Sequence, residues 1–190
     1  MADRADDDRI TAWAIAAGRG DRAALTAFVR ATQRDVHRFV AHLSGPRDAD
    51  DLAQETFLRA LRALPDFAGR SSARTWLLSI ARYTAADAVR AATRRPRVTT
   101  VEDPTAERPG TAHSAVDEAV LLRTLVTGLD ADRREAFVLT QVLDLSYVEA
   151  AEVCGCPIGT IRSRVARARE DLIAAMDARP ATRSRRADGA

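Results

Sequence analysis

Cysteine is almost missing from this chain: Cys154 and Cys156 are the only two in 190 residues, too few for a disulfide framework. Lysine is absent, so every side-chain cation other than histidine is an arginine, whose planar fork suits phosphate. Aromatic residues make up only 5%, and no apolar run is long enough to span a membrane or form a signal peptide, which predicts a cytoplasmic protein without membrane insertion. No Ser/His/Asp set or glycine-rich phosphate loop appears, and His37 and His42, five residues apart, do not share one helical face. No catalytic group and no cofactor are therefore expected. The Cys-x-Cys pair lacks a second pair, and its nearest histidine, His113, lies in another segment, so small buried thiols packing a turn are expected rather than a metal site.

What the chain does have is alanine and helical periodicity. Apolar residues reach 46%, and alanine is the commonest residue, which predicts an all-α fold packed through small side chains. Acidic residues crowd the start (Asp3, Asp6, Asp7, Asp8) and the stretch Asp50 to Glu55. Arginines crowd the end, from Arg162 to Arg186, so a net charge of only +2 conceals a basic C-terminal part suited to nucleic acid.

Periodicity runs from Ile10 to Ala92 with breaks near Gly18 to Gly20, Ser44 to Pro46 and Leu64 to Ser72, which predicts three or four helices in one bundle. It vanishes between Thr93 and Ser114, where Pro96, Pro104, Pro109 and Gly110 interrupt a polar stretch, and resumes from Val116 until just before Pro180. The expected organisation is a disordered acidic terminus over 1–9, a helical domain over 10–92, a flexible linker over 93–115, a second helical domain over 116–178 and a disordered tail over 179–190.

The second domain carries the sharpest local signal. Ser146 and Glu149 have capping-box spacing, and Gly155 supplies a permissive turn. Pro157 fits the first position of a new helix. Ile158, Ile161, Val165, Ala168 and Leu172 then recur on one face, leaving Thr160, Arg162, Ser163, Arg164, Ala166, Arg167 and Arg169 on the other. This is the form of a helix-turn-helix whose second helix enters the major groove, with Arg164 and Arg169 better suited to phosphate or solvent than to bases. The rival is a solvated arginine-rich helix closing a bundle, which the short first helix, the glycine turn and the donor face together oppose.

In the first domain, successive residues of the acidic helix lie about 100° apart. Leu52, Ala53, Thr56, Phe57, Ala60, Leu61 and Leu64 therefore gather on a core arc, and Asp51, Gln54, Glu55, Leu58 and Arg62 gather opposite. Leu58 reads either as an ordinary exposed leucine or as an anchor for a protein partner. After it come a polar loop, Pro65 to Ser72, and a stretch mixing cations with aromatics up to Tyr83, a composition suited to unpaired nucleic acid. Trp76 among Leu77, Leu78 and Ile80 reads more readily as core than as a stacking platform.

Taken in order, these segments resemble the extracytoplasmic-function (ECF) group of bacterial sigma-70 family RNA polymerase sigma factors, and within it an actinobacterial, sigma-C-like subgroup. Asp50-Asp51-Leu52-Ala53-Gln54-Glu55-Thr56-Phe57-Leu58-Arg59-Ala60 is similar to the group's polymerase-binding motif. Ser72-Ala73-Arg74-Thr75-Trp76-Leu77-Leu78-Ser79-Ile80-Ala81-Arg82 is similar to its promoter-melting segment, and Cys156 to Arg169 to its minus-35 recognition helix. The resemblance implies a sigma2-like bundle and a sigma4-like helix-turn-helix domain on a flexible linker. The partners it implies are core RNA polymerase, through the beta-prime clamp helices and the beta subunit, and promoter DNA, duplex at minus-35 and single-stranded at minus-10. An anti-sigma factor is a further partner known in the group.

By the same resemblance Asp51, Leu52, Gln54, Glu55 and Leu58 would bind polymerase. Asp66, Phe67, Arg70, Ser71, Ser72, Arg74 and Arg82 would bind minus-10 DNA, the loop taking a flipped base and the two later arginines holding phosphates. Thr160, Arg162, Ser163, Arg164, Ala166 and Arg167 would form the minus-35 surface, with Ala166 where the group often has a larger contacting side chain. The linker would run through polymerase toward the RNA exit path. An autonomous helix-turn-helix regulator would leave the acidic helix and the loop unexplained, and an adaptor without a DNA role would leave the arginine face unexplained.

Overall fold

The computed structural model describes residues 4–94 and 115–178; the expected linker core and C-terminal tail lie outside them. The described residues form eight α-helices and no strand. Four belong to the first domain: α1 (Arg4–Gly18), α2 (Arg22–Ser44), α3 (Ala49–Ala63) and α4 (Ala73–Arg94), with a 3-10 turn at Leu64–Asp66. The second domain holds α5 (Ala115–Thr127), α6 (Ala131–Phe137) continuing as a π turn over Val138–Val142, α7 (Tyr147–Cys154) and α8 (Ile158–Asp177).

Local chemistry sets most of these boundaries. Asp21 caps α2 by accepting from the Ala23 and Ala24 N–H groups at 2.8 and 3.0 Å, and the helix ends at Gly45, whose φ of 94° suits glycine. Ser146 and Glu149 form the expected capping box at α7, which closes on Gly155 in the left-handed region. Pro157 stands one position earlier than expected, at the N-cap of α8.

The N-terminus differs from expectation. Residues 4–9, read as disordered, are the first turns of α1. Asp6 and Asp7 sit where the helix dipole favours acid, Asp6 pairs with Arg9, and Ile10 is buried. This helix braces the loop before α4: the Ala73 N–H donates to Thr11 Oγ1 at 3.0 Å, and a Cβ on Gly18 would lie 2.5 Å from the Leu64 carbonyl oxygen. Only a residue without a side chain allows that approach.

The two domains, expected as separate bodies on a tether, are docked. α4 packs along α7, and α2 packs against α5 and α6. Buried apolar residues from both halves, among them Phe39, Leu77 and Leu78 in the first and Leu139, Val153 and Ile161 in the second, belong to one continuous core. Buried alanines in both packed helices, Ala81 and Ala85 in α4 and Ala150 in α7, suit close helix approach.

Candidate promoter and polymerase surfaces

On α3, Asp51, Gln54 and Leu58 are exposed, Leu58 at 44%. Glu55 is half-buried and accepts from Arg59 Nε at 2.7 Å, while Arg59 Nη1 reaches Asp87 on α4 at 2.8 Å. Hydrogen bonds to Asp87 and then Glu55 raise the Arg59 pKa. Leu52 is not on this surface: it is 8% exposed, on the same stripe as buried Thr56 and Ala60, and it anchors the helix from beneath. Leu61 departs in the other sense, expected in the core but 39% exposed. A groove of about 430 Å³ between α2 and α3, lined by Val29, Arg34, Ala53 and Phe57, opens beside Gln54.

The loop before α4 presents Asp66 and Arg70 to solvent and leaves Ser71 half-buried. Phe67 and Trp76 pack on each other with ring centroids 4.8 Å apart and planes tilted by 37°, and both lean on the core. Trp76 is thus a partly buried packing residue in this arrangement. Ser72 is occupied at the start of α4, where its Oγ accepts from the Thr75 N–H at 3.1 Å and donates to Thr75 Oγ1.

The two arginines expected on phosphates are elsewhere. Arg74 is 9% exposed; its Nε donates to Asp35 at 2.7 Å and its Nη2 to the Leu143 carbonyl oxygen at 2.5 Å. That carbonyl follows the π turn, beside Asp144 at φ 56°. Arg82 donates from Nε to Glu135 of α6, whose side chain is only 7% exposed. Burial works against the Arg82 charge but is outweighed by the bond to Glu135 and that carboxylate's charge, so its pKa is raised. Burial likewise pushes the Glu135 carboxyl up, with Arg82 opposing. Both side chains therefore bind the second domain instead of facing solvent. Asp35, Glu135 and the Leu143 carbonyl were not singled out from the sequence, because each meets its arginine across tens of residues.

On α8, Ile161, Val165, Ala168 and Leu172 are buried as expected, and Ile158 only half so. Arg162, Ser163, Ala166 and Arg167 are exposed and Thr160 is half-buried. Arg164 pairs with Asp132 of α6 and approaches Cys156 Sγ at 3.8 Å, and Arg169 donates to Gln141 at 2.8 Å. Arg133 on α6 returns a bond to Asp171 of α8 at 2.6 Å. Crossed ion pairs thus fix α8 on α6, while Arg162 and Arg167 have no hydrogen bond or ion pair among the described residues. Burial pushes the Cys154 thiol well up, and among the described residues no three His, Cys, Asp or Glu side chains are placed to hold a metal ion. No described helix is long and apolar enough to cross a membrane.

A helix-turn-helix with an outward donor face, docked on a second helical bundle, defines an all-α protein built to meet duplex DNA. Comparison with known proteins narrows that class. The sigma-70 region 2 family matches residues 28–95, and the sigma-70 region 4 family matches residues 119–172. The chain is 54% identical over 176 residues to the ECF RNA polymerase sigma factor SigC of Mycobacterium tuberculosis, covering 92% of this chain and 94% of that one. Among solved structures it is similar to CnrH in complex with the cytosolic domain of CnrY (TM-score 0.70, 27% identity, 92% and 99% covered). It is also similar to the sigma factor RpoE in complex with the anti-sigma factor NepR from Bartonella quintana (TM-score 0.69, 28% identity, 82% and 98% covered). The chain belongs to the ECF group of sigma-70 family RNA polymerase sigma factors, the promoter-specificity subunits that direct core polymerase in transcription initiation.

Proposed function

We propose that the described surfaces divide this work by residue: Asp51, Gln54 and Leu58 dock on core polymerase with Glu55 at their edge, the loop Asp66 to Ser72 receives a base of the opened minus-10 strand, and Arg162, Ser163 and Arg167 read the minus-35 duplex. The observation that carries the reading is the split among the arginines of α8. Arg164 and Arg169 are bonded to Asp132 and Gln141, whereas among the described residues Arg162 and Arg167 have no partner and keep their donors for an outside acceptor. Arginine forks aimed outward from a recognition helix match guanine edges or phosphates.

The docked arrangement is the resting form in this reading. Arg74 and Arg82 reach minus-10 phosphates only after α4 parts from α7 and α6, so promoter engagement requires opening of the seam. Polymerase supplies the chemistry of nucleotide transfer, and the protein works in the cytoplasm, where that enzyme acts. An anti-sigma partner is part of the proposal, supported by the complexes in which the similar structures CnrH and RpoE are held.

Run-off transcription with purified core polymerase tests the docking face. Wild type is expected to give promoter-specific RNA and Leu58→Asp to lose polymerase binding, since truncating or charging an interface anchor costs about 2 kcal/mol or more. Unaltered binding by the variant removes Leu58 from the interface. For the duplex surface, Arg167→Ala is expected to weaken minus-35 binding by about 1 to 3 kcal/mol on the preferred sequence alone. Equal weakening on every sequence, with a shallower salt dependence, assigns Arg167 to phosphate instead.

A further inference from the structure

Between α2 and the α5–α6 pair the docked domains frame an open-sided cavity of about 480 Å³, with Arg38 and His42 on one wall and Leu122, Arg123, Val126 and Phe137 on the other. Among the described residues no carboxylate lines it. A second cavity on the same seam, of about 310 Å³, holds Ser44 and Arg134; its two acids, Asp132 and Glu135, are already committed to Arg164 and Arg82. Arg38, Arg123 and Arg134 make no hydrogen bond or ion pair among the described residues.

Three buried side-chain atoms lack a hydrogen-bond partner among the described residues, and all three belong to residues of the seam: His42 Nδ1 at the first cavity, Ser44 Oγ and Arg134 Nε at the second. Burial, and after it the charges of Arg123, Arg38 and Arg134, hold the His42 imidazole below its ordinary pKa. The charges of three guanidiniums therefore act on one imidazole, and among the described residues no carboxylate lines its cavity to oppose them. Buried polar atoms are normally satisfied, so the orphaned His42 Nδ1, set among half-buried and exposed guanidiniums, points to an anion from outside.

The donor set selects the chemistry. Guanidinium forks and an imidazole suit the oxygens of a phosphate, while Leu122, Val126 and Phe137 offer an apolar wall. A cavity of a few hundred Å³ with convergent polar groups fits a small molecule. We propose that this seam cavity binds a small phosphate-bearing anion, held by Arg38 and His42 from the first domain and by Arg123 from the second, with the charge of Arg134 acting from nearby. Because its donors come from both domains, the ligand binds only the docked form and stabilises it by mass action. Such a ligand favours the arrangement in which Arg74 and Arg82 are occupied.

Isothermal titration of the full chain, at ionic strength held constant with chloride, tests the site with inorganic phosphate and adenosine monophosphate as probes. Saturable one-site binding of either probe is expected, together with a rise in the thermal unfolding midpoint. Tighter binding of the nucleotide assigns a phosphate on an organic body, and equal binding assigns free phosphate; both support the site. Arg123→Gln, an exposed position, is expected to weaken binding roughly tenfold to a hundredfold, the range implied by one lost charge-assisted hydrogen bond. The double variant Arg162→Gln/Arg167→Gln is expected to bind as wild type does. The proposal is overturned if neither probe saturates, or if the α8 double variant loses binding while Arg123→Gln keeps it. Since polymerase and promoter are absent from this titration, its failure leaves the assignment of the DNA and polymerase surfaces untouched.

Discussion

Arg82→Ala is expected to destabilise the docked molecule by about 3 to 5 kcal/mol, the cost of stranding one member of a buried ion pair. Glu135 has a side chain 7% exposed, and Arg82 is the chief group opposing the burial that pushes its carboxyl up. The pH dependence follows in sign. A carboxyl whose folded-state pKa lies above its ordinary 4.5 binds more protons folded than unfolded, so its contribution is fully present below the unfolded value and is lost as pH rises through the folded one. Removing Arg82 takes away the opposing charge and exaggerates that loss. The defect of Arg82→Ala should therefore be largest near neutrality and shrink as the solution is acidified toward the folded-state value.

Urea unfolding of wild type, Arg82→Ala, Glu135→Gln and the double variant at two pH values measures the coupling. Additive single costs would show that the two side chains do not depend on each other. The apolar replacement Arg82→Met with Glu135→Leu should recover most of the loss, as buried pairs exchanged for packed side chains often do. Function separates the variants further: Glu135→Gln releases Arg82 while keeping its charge and should strengthen binding to a melted minus-10 strand, whereas Arg82→Ala should not.

The second large effect is confined to α8. Ile161 is fully buried, and Ile161→Ala is expected to cost about 2 to 5 kcal/mol through lost transfer energy and the cavity left behind. Ile158, three residues earlier and half-buried, should cost clearly less on the same substitution. Urea unfolding followed by circular dichroism compares the two, and equal costs would refute the inward face assigned to this helix. Duplex binding should fall with Ile161→Ala at temperatures where the second domain loses its packing, because Arg162 and Arg167 depend on α8 for their spacing.

Much of the second domain was legible from residues alone because its signals are local. A capping box, a left-handed glycine and a helical repeat of apolar residues each act within a few positions, so Ser146, Glu149, Gly155 and the Ile161 to Leu172 stripe fall where the pattern put them. The α3 surface was legible in part. Angular placement separated Asp51, Gln54 and Leu58 from the core, but grouping Leu52 with the binding face ran against the same geometry, and Leu61 depends on how far the neighbouring helices extend over it. The ordering of residues 4–9 escaped because their short acidic run is helical only with the packing that Ile10 begins.

Helix positions, the turn of the DNA-binding motif and the outward arginines of α8 were decided along the chain, by hydrogen bonds and periodicities that close within a turn or two. The docking of the two bundles, the capture of Arg74 and Arg82, and the gathering of cations around His42 were decided only in three dimensions. Those contacts join residues far apart in the chain, and the partner of a buried charge is whichever group packing brings near, which no run of neighbouring letters specifies.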